Sequence, residues 1–196
     1  MNTTDYDAGA KGIFVGDSFV GKTCLQNALK NDEYDKFSVP TVNPAASPLK
    51  FTDATGKIIN LQLWDTSGQE KYRSLSKLFF RNADVAVICY AAGDFTSRDN
   101  SREWIDAVRE QSENCRLIFA ITKHDLIPNK DAQSLLIEAD ELFSAYNPAG
   151  IYMTSSFSGF GIDELRAAIA LAAYNQPSNI IPTKLEINEN KSSGCC

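Results

Sequence analysis

At residues 16–24 the chain reads GDSFVGKTC, which fits the pattern G-x-x-x-x-G-K-[ST]. An apolar run precedes this stretch and a segment of helical periodicity follows it, so the pattern falls in a predicted strand–loop–helix unit. Glycines at both ends of the loop let backbone N–H groups turn toward a phosphate, and the helix N-terminus adds the positive end of its dipole. Lys22 is placed to reach the β- and γ-phosphates, and the Thr23 hydroxyl is placed to ligate Mg²⁺. The alternative is a strand-to-helix turn that contains a lysine by chance.

The composition restricts the classes of function. With 196 residues, 43% of them hydrophobic and 22% charged, the chain suits one globular domain and a tail. Its formal net charge of -6 argues against nucleic acid as the main partner. His124 is the only histidine and the cysteines lack metal-ligand spacing, which argues against histidine-based triads and zinc sites. The polar N-terminus and the lack of an apolar run of ~18 residues predict no signal peptide or membrane span. Cys24, Cys89 and Cys115 lie singly in apolar or helical contexts, which predicts reduced core cysteines and a cytoplasmic protein.

Apolar runs of strand length alternate with segments of helical period along the chain. The predicted strands are 12–16, 48–53, 57–64, 84–90, 116–121 and 150–154, and the predicted helices are 22–31, 74–81, 98–111, 131–146 and 162–174. Asp131 and Asp163 are predicted helix caps. The alternation predicts an α/β fold: a six-stranded, mostly parallel sheet with one antiparallel edge strand and helices on both faces. The predicted division is an N-terminal extension at 1–10, the folded domain at 11–175 and a flexible tail at 176–196.

A second motif, WDTSGQE at residues 64–70, follows the third predicted strand. An aspartate that leaves a buried strand beside a phosphate loop typically completes the Mg²⁺ shell through water, which assigns that role to Asp65. Gly68 lets a backbone N–H approach the γ-phosphate, and Gln69 is suited to orient an attacking water. The alternative is a polar turn with a helix cap.

Two further loops follow the fifth and sixth predicted strands. In TKHD at residues 122–125, the Asp125 carboxylate suits the N1–H and 2-amino group of guanine, which adenine does not offer, and the aliphatic part of Lys123 suits the base plane. The alternative is an ordinary charged loop. In TSSFSGFG at residues 154–161, a backbone N–H is placed to meet guanine O6.

Four motifs in this order resemble the small GTPases of the Ras superfamily over residues 11–175. The stretch GQEKYRSL and the terminal Cys195-Cys196 resemble the Rab branch, in which two terminal cysteines are a double geranylgeranylation signal. The resemblance implies a P-loop small GTPase domain that binds GTP or GDP with Mg²⁺. It also implies that Thr41 ligates Mg²⁺ and senses the γ-phosphate, and that Tyr34 packs against guanine.

The resemblance carries over to a defined set of positions. The implied catalytic residues are Gln69, Lys22 and Thr41, and the implied metal ligands are Thr23, Thr41 and, through water, Asp65. The implied nucleotide contacts are Gly16, Asp17, Ser18, Phe19, Val20, Gly21, Lys22, Thr23, Cys24, Tyr34, Thr41, Gly68, Thr122, Lys123, Asp125, Ser155, Ser156 and Phe157.

The chain departs from the family pattern at several of these positions. Thr122 stands where most members have Asn, which predicts a weaker contact with the base. Phe157 replaces a lysine of the base-binding loop. Phe19 and Ser67 are expected to crowd or polarise the γ-phosphate surroundings. Prolines after Thr41 remove backbone donors, so the edge strand is predicted to begin only near Leu49.

The implied function is a GTP/GDP-dependent switch in vesicle trafficking that hydrolyses GTP slowly without an activating partner. Expected partners are an exchange factor, an activating protein, effectors and prenylation or GDI-type machinery, with reversible attachment to the cytosolic face of intracellular membranes through Cys195 and Cys196. One alternative is a GTP-binding interaction module with little hydrolysis. Another is a P-loop ATPase or small kinase, against which Asp125 and the WDTSGQE motif argue.

Overall fold

A computed structural model of the protein describes residues 8–31, 45–52, 58–66 and 78–174. The strands are Ala8–Val15 (β1), Ala45–Thr52 (β2), Ile58–Asp65 (β3), Val85–Ala91 (β4), Arg116–Thr122 (β5) and Gly150–Met153 (β6). They form a six-stranded sheet in the order β2-β3-β1-β4-β5-β6. Every neighbouring pair is parallel except β2 with β3. The predicted sheet, with one antiparallel edge strand, is confirmed.

The α-helices described in full are Lys22–Leu29 (α1), Phe95–Gln111 (α2), Asn129–Phe143 (α3) and Ile162–Tyr174 (α4). Of the predicted helix at 74–81, residues 78–80 are helical and residues 74–77 lie outside the described part. None of the helices in the described residues is both long and apolar enough to cross a membrane.

Side chains of the strands alternate between two cores, one on each face of the sheet. On β1, Phe14 belongs to the core that contains residues of α1 and α4, whereas Ile13 and Val15 belong to the core that contains residues of α2 and α3. On β4 every residue is buried, as its continuous apolar run predicted. The helices therefore cover both faces of the sheet, as predicted.

The edge strand β2 begins earlier than the sequence predicted. Ala45 pairs with Asp65, and Pro48 lies within the strand opposite Gln62. The predicted start near Leu49 was wrong because Pro48 was counted as a break. A proline is tolerated here because β2 is the terminal strand of the sheet, where a missing N–H on the outer side removes no ladder hydrogen bond.

Two predicted helix caps were also wrong. α3 begins at Asn129, and the N-cap position is held by Pro128 in an extended conformation, so Asp131 lies inside the first turn. α4 begins at Ile162, so Asp163 likewise lies in the first turn. Acidic residues are favoured both at N-caps and in first turns, because both positions lie at the positive end of the helix dipole. The sequence alone therefore does not distinguish an aspartate at the N-cap from one in the first turn.

Arg166 of α4 joins that helix to the end of α1. Its Nε donates to the carbonyl oxygen of Leu29 at 3.0 Å, and its Nη2 donates to Oδ1 of Asn31 at 2.7 Å. Carbonyl groups in the last turn of a helix lack intrahelical partners, and a cation there is favoured by the helix dipole. Arg166 therefore supplies the C-terminal end of α1 with both a donor and a charge.

The strand order reverses at β1, with β3 and β2 on one side and β4, β5 and β6 on the other. α1 follows β1 after a short loop, residues 16–21, which we call the phosphate loop. In open α/β sheets, ligands bind in the crevice outside the carboxyl ends of the strands at such a reversal. The fold therefore places residues 16–24 at the expected ligand position.

Two core thiols make the stability of the fold sensitive to alkaline pH. Burial raises the pKa of Cys89 and that of Cys115 to about 12, from an ordinary value of 9.0. Unfolded thiols ionise above about pH 9 and the folded ones do not, so the stability each provides is present below that pH and lost as pH rises toward the folded pKa. The loss amounts to about 1.4 kcal/mol per pH unit for each thiol.

We therefore expect Cys115→Ala to reduce the alkaline fall in unfolding free energy by about 1.4 kcal/mol per pH unit above pH ~9. Urea unfolding of both proteins at a series of alkaline pH values measures this difference. Titratable groups present in both proteins, such as lysines, contribute equally to both curves of unfolding free energy against pH and cancel in the comparison. The lost side-chain volume lowers the unfolding free energy equally at every pH and leaves the slope unchanged. Equal slopes in the two proteins would contradict the prediction.

Candidate functional site

The phosphate loop has the backbone geometry that its sequence pattern requires. Gly16 has a φ of +145° and Gly21 a φ of +97°, values that residues with side chains rarely adopt. A Cβ on Gly16 would lie 2.1 Å from the carbonyl oxygen of Cys89, so the loop packs directly against β4. Gly21 is the N-cap of α1, and the N–H groups in the first turn of that helix point back into the loop.

Lys22 is the first residue of α1, and its side chain folds back over the phosphate loop. Nζ donates to the carbonyl oxygens of Gly16 at 2.9 Å and Asp17 at 2.7 Å, and the residue is only 5% exposed. Burial lowers the pKa of Lys22, while the negative charges of Asp65 and Asp17 partly raise it. An ammonium has three N–H donors, so two carbonyl contacts leave one for a phosphate oxygen.

Thr23 and Asp65 bring two oxygen ligands together at the start of α1. Thr23 Oγ1 donates to Oδ2 of Asp65 at 2.6 Å, and Asp65 is buried at the end of β3. Hydroxyl and carboxylate oxygens suit Mg²⁺, which usually keeps water and substrate phosphates as its other ligands. In the described part of the chain no three His, Cys, Asp or Glu side chains cluster as a metal site. The Thr23–Asp65 pair presents a hydroxyl and a carboxylate, which are oxygen donors of the kind that Mg²⁺ takes.

A cavity of about 230 Å³, which we call the base cavity, opens between the phosphate loop and the end of β5. It is lined by Gly21, Cys24, Thr122, Lys123, Asp125, Leu126, Ser156 and Phe157. The lining combines the Asp125 carboxylate with exposed apolar side chains at Leu126 and Phe157. A carboxylate beside apolar walls can accept two hydrogen bonds from a flat base while its faces pack on carbon atoms.

Ser155 lies behind Asp125 and is not part of the cavity lining. Its hydroxyl donates to Oδ1 of Asp125 at 2.5 Å, and its backbone N–H donates to the carbonyl oxygen of Phe160 at 2.9 Å. Ser155 is fully buried. The residue predicted to contact the nucleotide thus holds the carboxylate in one orientation, while its neighbours Ser156 and Phe157 line the cavity.

Thr122 joins the base cavity to the phosphate loop. Its hydroxyl contacts the carbonyl oxygen of Val20 in the loop and, at 3.1 Å, that of Tyr90 on β4. The residue is 3% exposed, and the single hydroxyl hydrogen can serve one of these acceptors at a time. The sequence suggested that threonine at this position weakens a base contact. That effect on the base stays a prediction. In the structure the hydroxyl joins the phosphate loop to the carboxyl end of β5, from which the Asp125 loop continues.

We expect Thr122→Val to lower the free energy of unfolding by about 1–3 kcal/mol, because it keeps the side-chain shape but removes the one donor that the carbonyl groups of Val20 and Tyr90 share. Urea unfolding measures the change. Thr122→Ser retains the hydroxyl and is the matched control. A Val variant as stable as the Ser variant would show that the hydroxyl does not hold the loops together.

Phe19 has a backbone conformation that is uncommon for an aromatic residue. Its φ is +63°, in the left-handed region, and its side chain is 73% exposed. Such a conformation costs about 1–3 kcal/mol, and residues that adopt it cluster at functional sites. Ser18, its half-buried neighbour, shares the same turn. The effect of Phe19 on the γ-phosphate surroundings stays a prediction.

Several predicted functional residues lie outside the described residues, and their roles stay predictions. They are Tyr34, Thr41, Ser67, Gly68, Gln69, Cys195 and Cys196.

The structure shows contacts at the base cavity and at the phosphate loop that the sequence did not predict. Leu126 lines the base cavity, and its position next to Asp125 was the available signal. Cys24, which the resemblance placed among the nucleotide contacts, is half-buried and lines the same cavity. Asn100 and Trp104 of α2 donate to the side chain of Asp17. Their spacing of four residues places them on one helix face, but no sequence signal connects that face to the phosphate loop.

The chain is similar in sequence to known proteins. The family model described as Ras family matches residues 11–172. Ras-related protein RABD2b from Arabidopsis thaliana is 30% identical, with 98% of each chain covered. GTP-binding protein yptV2 from Volvox carteri is 32% identical over 85% of this chain and 76% of its own length. Ras-related protein Rab-34 from Sus scrofa is 32% identical over 84% of this chain and 64% of its own length.

Proposed function

The chain belongs to the Ras family of small GTPases, and on that premise we propose that the phosphate loop, Asp65 and the base cavity form its site for GTP binding and hydrolysis. Rab- and Ypt-named relatives at about 30% identity make it a Rab-like small GTPase, an enzyme that hydrolyses GTP. One observation supports the proposed site above the others. The Thr122 hydroxyl links the phosphate loop to the loop that carries Asp125, so the two halves of a nucleotide site share one crevice.

In the proposed complex the triphosphate lies along the phosphate loop. The remaining N–H of Lys22 and the backbone N–H groups at the start of α1 donate to the β- and γ-phosphate oxygens. These fixed charges stabilise the negative charge that develops in the transition state. When bound by Thr23, by Thr41 and through water by Asp65, Mg²⁺ would neutralise charge on the same phosphate oxygens.

Guanine occupies the base cavity in this proposal. Asp125, oriented by the Ser155 hydroxyl, accepts hydrogen bonds from N1–H and the 2-amino group. The backbone N–H of Ser156 donates to O6. The aliphatic part of Lys123 and the ring of Phe157 cover the base, and both residues line the cavity. By the family resemblance, Tyr34 would pack against guanine.

Hydrolysis proceeds by attack of a water on the γ-phosphorus, in line with the bond to the β–γ bridging oxygen. Gln69 orients that water by hydrogen bonding and need not act as a strong base. Cleavage gives GDP and inorganic phosphate. The contacts of Thr41 and Gly68 with the γ-phosphate exist only in the GTP state, which gives the protein two conformations for its partners to distinguish. An arginine from an activating partner would accelerate hydrolysis by ~10³–10⁵-fold.

Competition for the site tests its base specificity. We expect GTP to displace a fluorescent GDP analogue and ATP to leave it bound, because adenine lacks the donors that Asp125 requires. ATP that competes as well as GTP would favour a P-loop ATPase or kinase. Single-turnover hydrolysis with and without cell extract then separates a switch from an interaction module, because the module would hold GTP uncleaved in both conditions.

We also propose that the protein regulates vesicle trafficking from membranes, the usual role of Rab proteins. Cys195 and Cys196 would each carry a geranylgeranyl group. One lipid chain holds a protein only marginally at a bilayer, whereas two chains anchor it stably. An exchange factor, an activating protein, effectors and GDI-type machinery would then control its cycle. Mass spectrometry of protein from its native cell tests the attachment, and an unlipidated C-terminus would contradict it.

A further inference from the structure

Both carboxylate oxygens of Asp17, in the phosphate loop, accept hydrogen bonds from α2. Nδ2 of Asn100 donates to Oδ2 at 2.7 Å, and Nε1 of Trp104 donates to Oδ1 at 2.8 Å. The indole of Trp104 is 1% exposed and belongs to the core on the α2 face of the sheet. Hydrogen bonds to a charged acceptor are shorter and stronger than neutral ones. We call these three residues the Asp17 clamp.

The backbone of Asp17 is part of the support for Lys22. Its carbonyl oxygen accepts from Nζ of Lys22 at 2.7 Å, beside the second carbonyl contact to Gly16. The side chain of Asp17 is therefore held by α2 while its main chain holds the ammonium. A shift of this residue would change the direction in which Lys22 presents its third N–H.

The clamp also fixes the position of a negative charge beside an anion site. A free carboxylate in the phosphate loop would repel a polyphosphate if its side chain turned toward it. The two N–H donors stabilise that charge and hold it on the α2 side of the loop. Loss of a donor would weaken phosphate binding both through the loop geometry and through the charge.

We propose that Asn100 and Trp104 are positioning residues for nucleotide binding, which act through Asp17 on Lys22. Neither residue lines the base cavity, and the role requires no contact with the nucleotide. The inference rests on the proposed function, because it assumes that the phosphate loop holds GDP and GTP.

Release of a fluorescent GDP analogue from the full chain tests the clamp. We expect Asn100→Ala and Trp104→Phe each to accelerate release by about tenfold, the size of effect that one lost hydrogen bond to a charged group produces. Ser101→Ala is the matched control: this residue is fully buried on the same helix, and its hydroxyl donates to the carbonyl oxygen of Ser97 within α2. The control should lower the urea midpoint without changing the release rate.

Exchanging the side chains at positions 17 and 100 should restore slow GDP release. Asp17→Asn alone should accelerate release, because the hydrogen bonds from Asn100 and Trp104 then lose their charged acceptor and hold the loop less firmly. In the double variant with Asn100→Asp, the amide at position 17 donates to the carboxylate at position 100 and still accepts from Trp104, and the net charge is unchanged. Release should return close to the wild-type rate, which a purely structural effect of two substitutions would not produce.

The outcomes separate this inference from the proposed function. Wild-type release rates in both Asn100→Ala and Trp104→Phe would overturn the clamp and leave the proposed function intact. A double variant that releases GDP as fast as Asp17→Asn alone would do the same. A wild-type chain that retains no guanine nucleotide would overturn both.

Discussion

Lys22→Met should lower the affinity for GDP and GTP by roughly 150- to 4,000-fold, which corresponds to the 3–5 kcal/mol typical of removing one partner of a buried charge pair. The ammonium is buried and donates to Gly16 and Asp17. Methionine retains the apolar stem but has neither the charge nor the donors. The two loop carbonyls then lose their shared donor, and the phosphates lose their nearest fixed cation.

Titration with a fluorescent GDP analogue in the presence of Mg²⁺ measures this loss. Lys50→Met is the control, because Lys50 is exposed on the edge strand β2 and its substitution removes the same charge far from the crevice. Nucleotide-free unfolding midpoints of both variants show how much of the effect is due to the loop itself. An affinity within a few-fold of wild type in Lys22→Met would contradict the assigned role.

Gly16→Ala should lower the free energy of unfolding by about 3–5 kcal/mol, the sum of backbone strain and overpacking. The added Cβ would lie 2.1 Å from the carbonyl oxygen of Cys89, a backbone atom of the central strand β4. A flexible side chain could move away from such a contact, but β4 is buried at every position and paired on both sides. The phosphate loop would have to move instead, and nucleotide binding should fall with it.

Gly159→Ala separates the two contributions. Gly159 has a φ of +80°, but a Cβ there would meet nothing within 4 Å, so only the strain remains, about 1 kcal/mol. Urea unfolding of both variants compares a position in contact with Cys89 with one where the positive φ is the only obstacle. If Gly16→Ala were no more destabilising than Gly159→Ala, the close packing of the loop on β4 would not limit this position.

The extent to which the fold could be predicted differs between the centre and the edge of the sheet. The apolar run of β4 and the alternation of Ile13 and Phe14 on β1 report burial directly, because each residue's own chemistry selects its side of the sheet. The start of β2 could not be found this way. Whether Pro48 breaks a strand depends on which side of that strand has a neighbour, which only the assembled sheet determines.

Whether a contact of the site could be predicted likewise depends on how far apart its residues lie in the sequence. Gly16, Lys22 and Thr23 act within one contiguous stretch, so their spacing alone specifies their geometry. Asp125 follows a strand end, and parallel strands bring their carboxyl ends to one edge of the sheet. The contact of Trp104 with Asp17 has no such signal, because it depends on how α2 packs against the loop across 87 positions of sequence.

The base cavity is built from residues near both ends of the domain, Gly21 and Phe157. The end of α1 likewise receives its donor from Arg166. During synthesis on the ribosome the phosphate loop emerges early, whereas Phe157 of the cavity lining and Arg166, which donates to the end of α1, emerge much later. A nascent chain that stops before Phe157 has no complete place for a base. Under the proposed function, nucleotide binding therefore requires synthesis of the chain through Phe157, and a chain terminated earlier would not retain nucleotide.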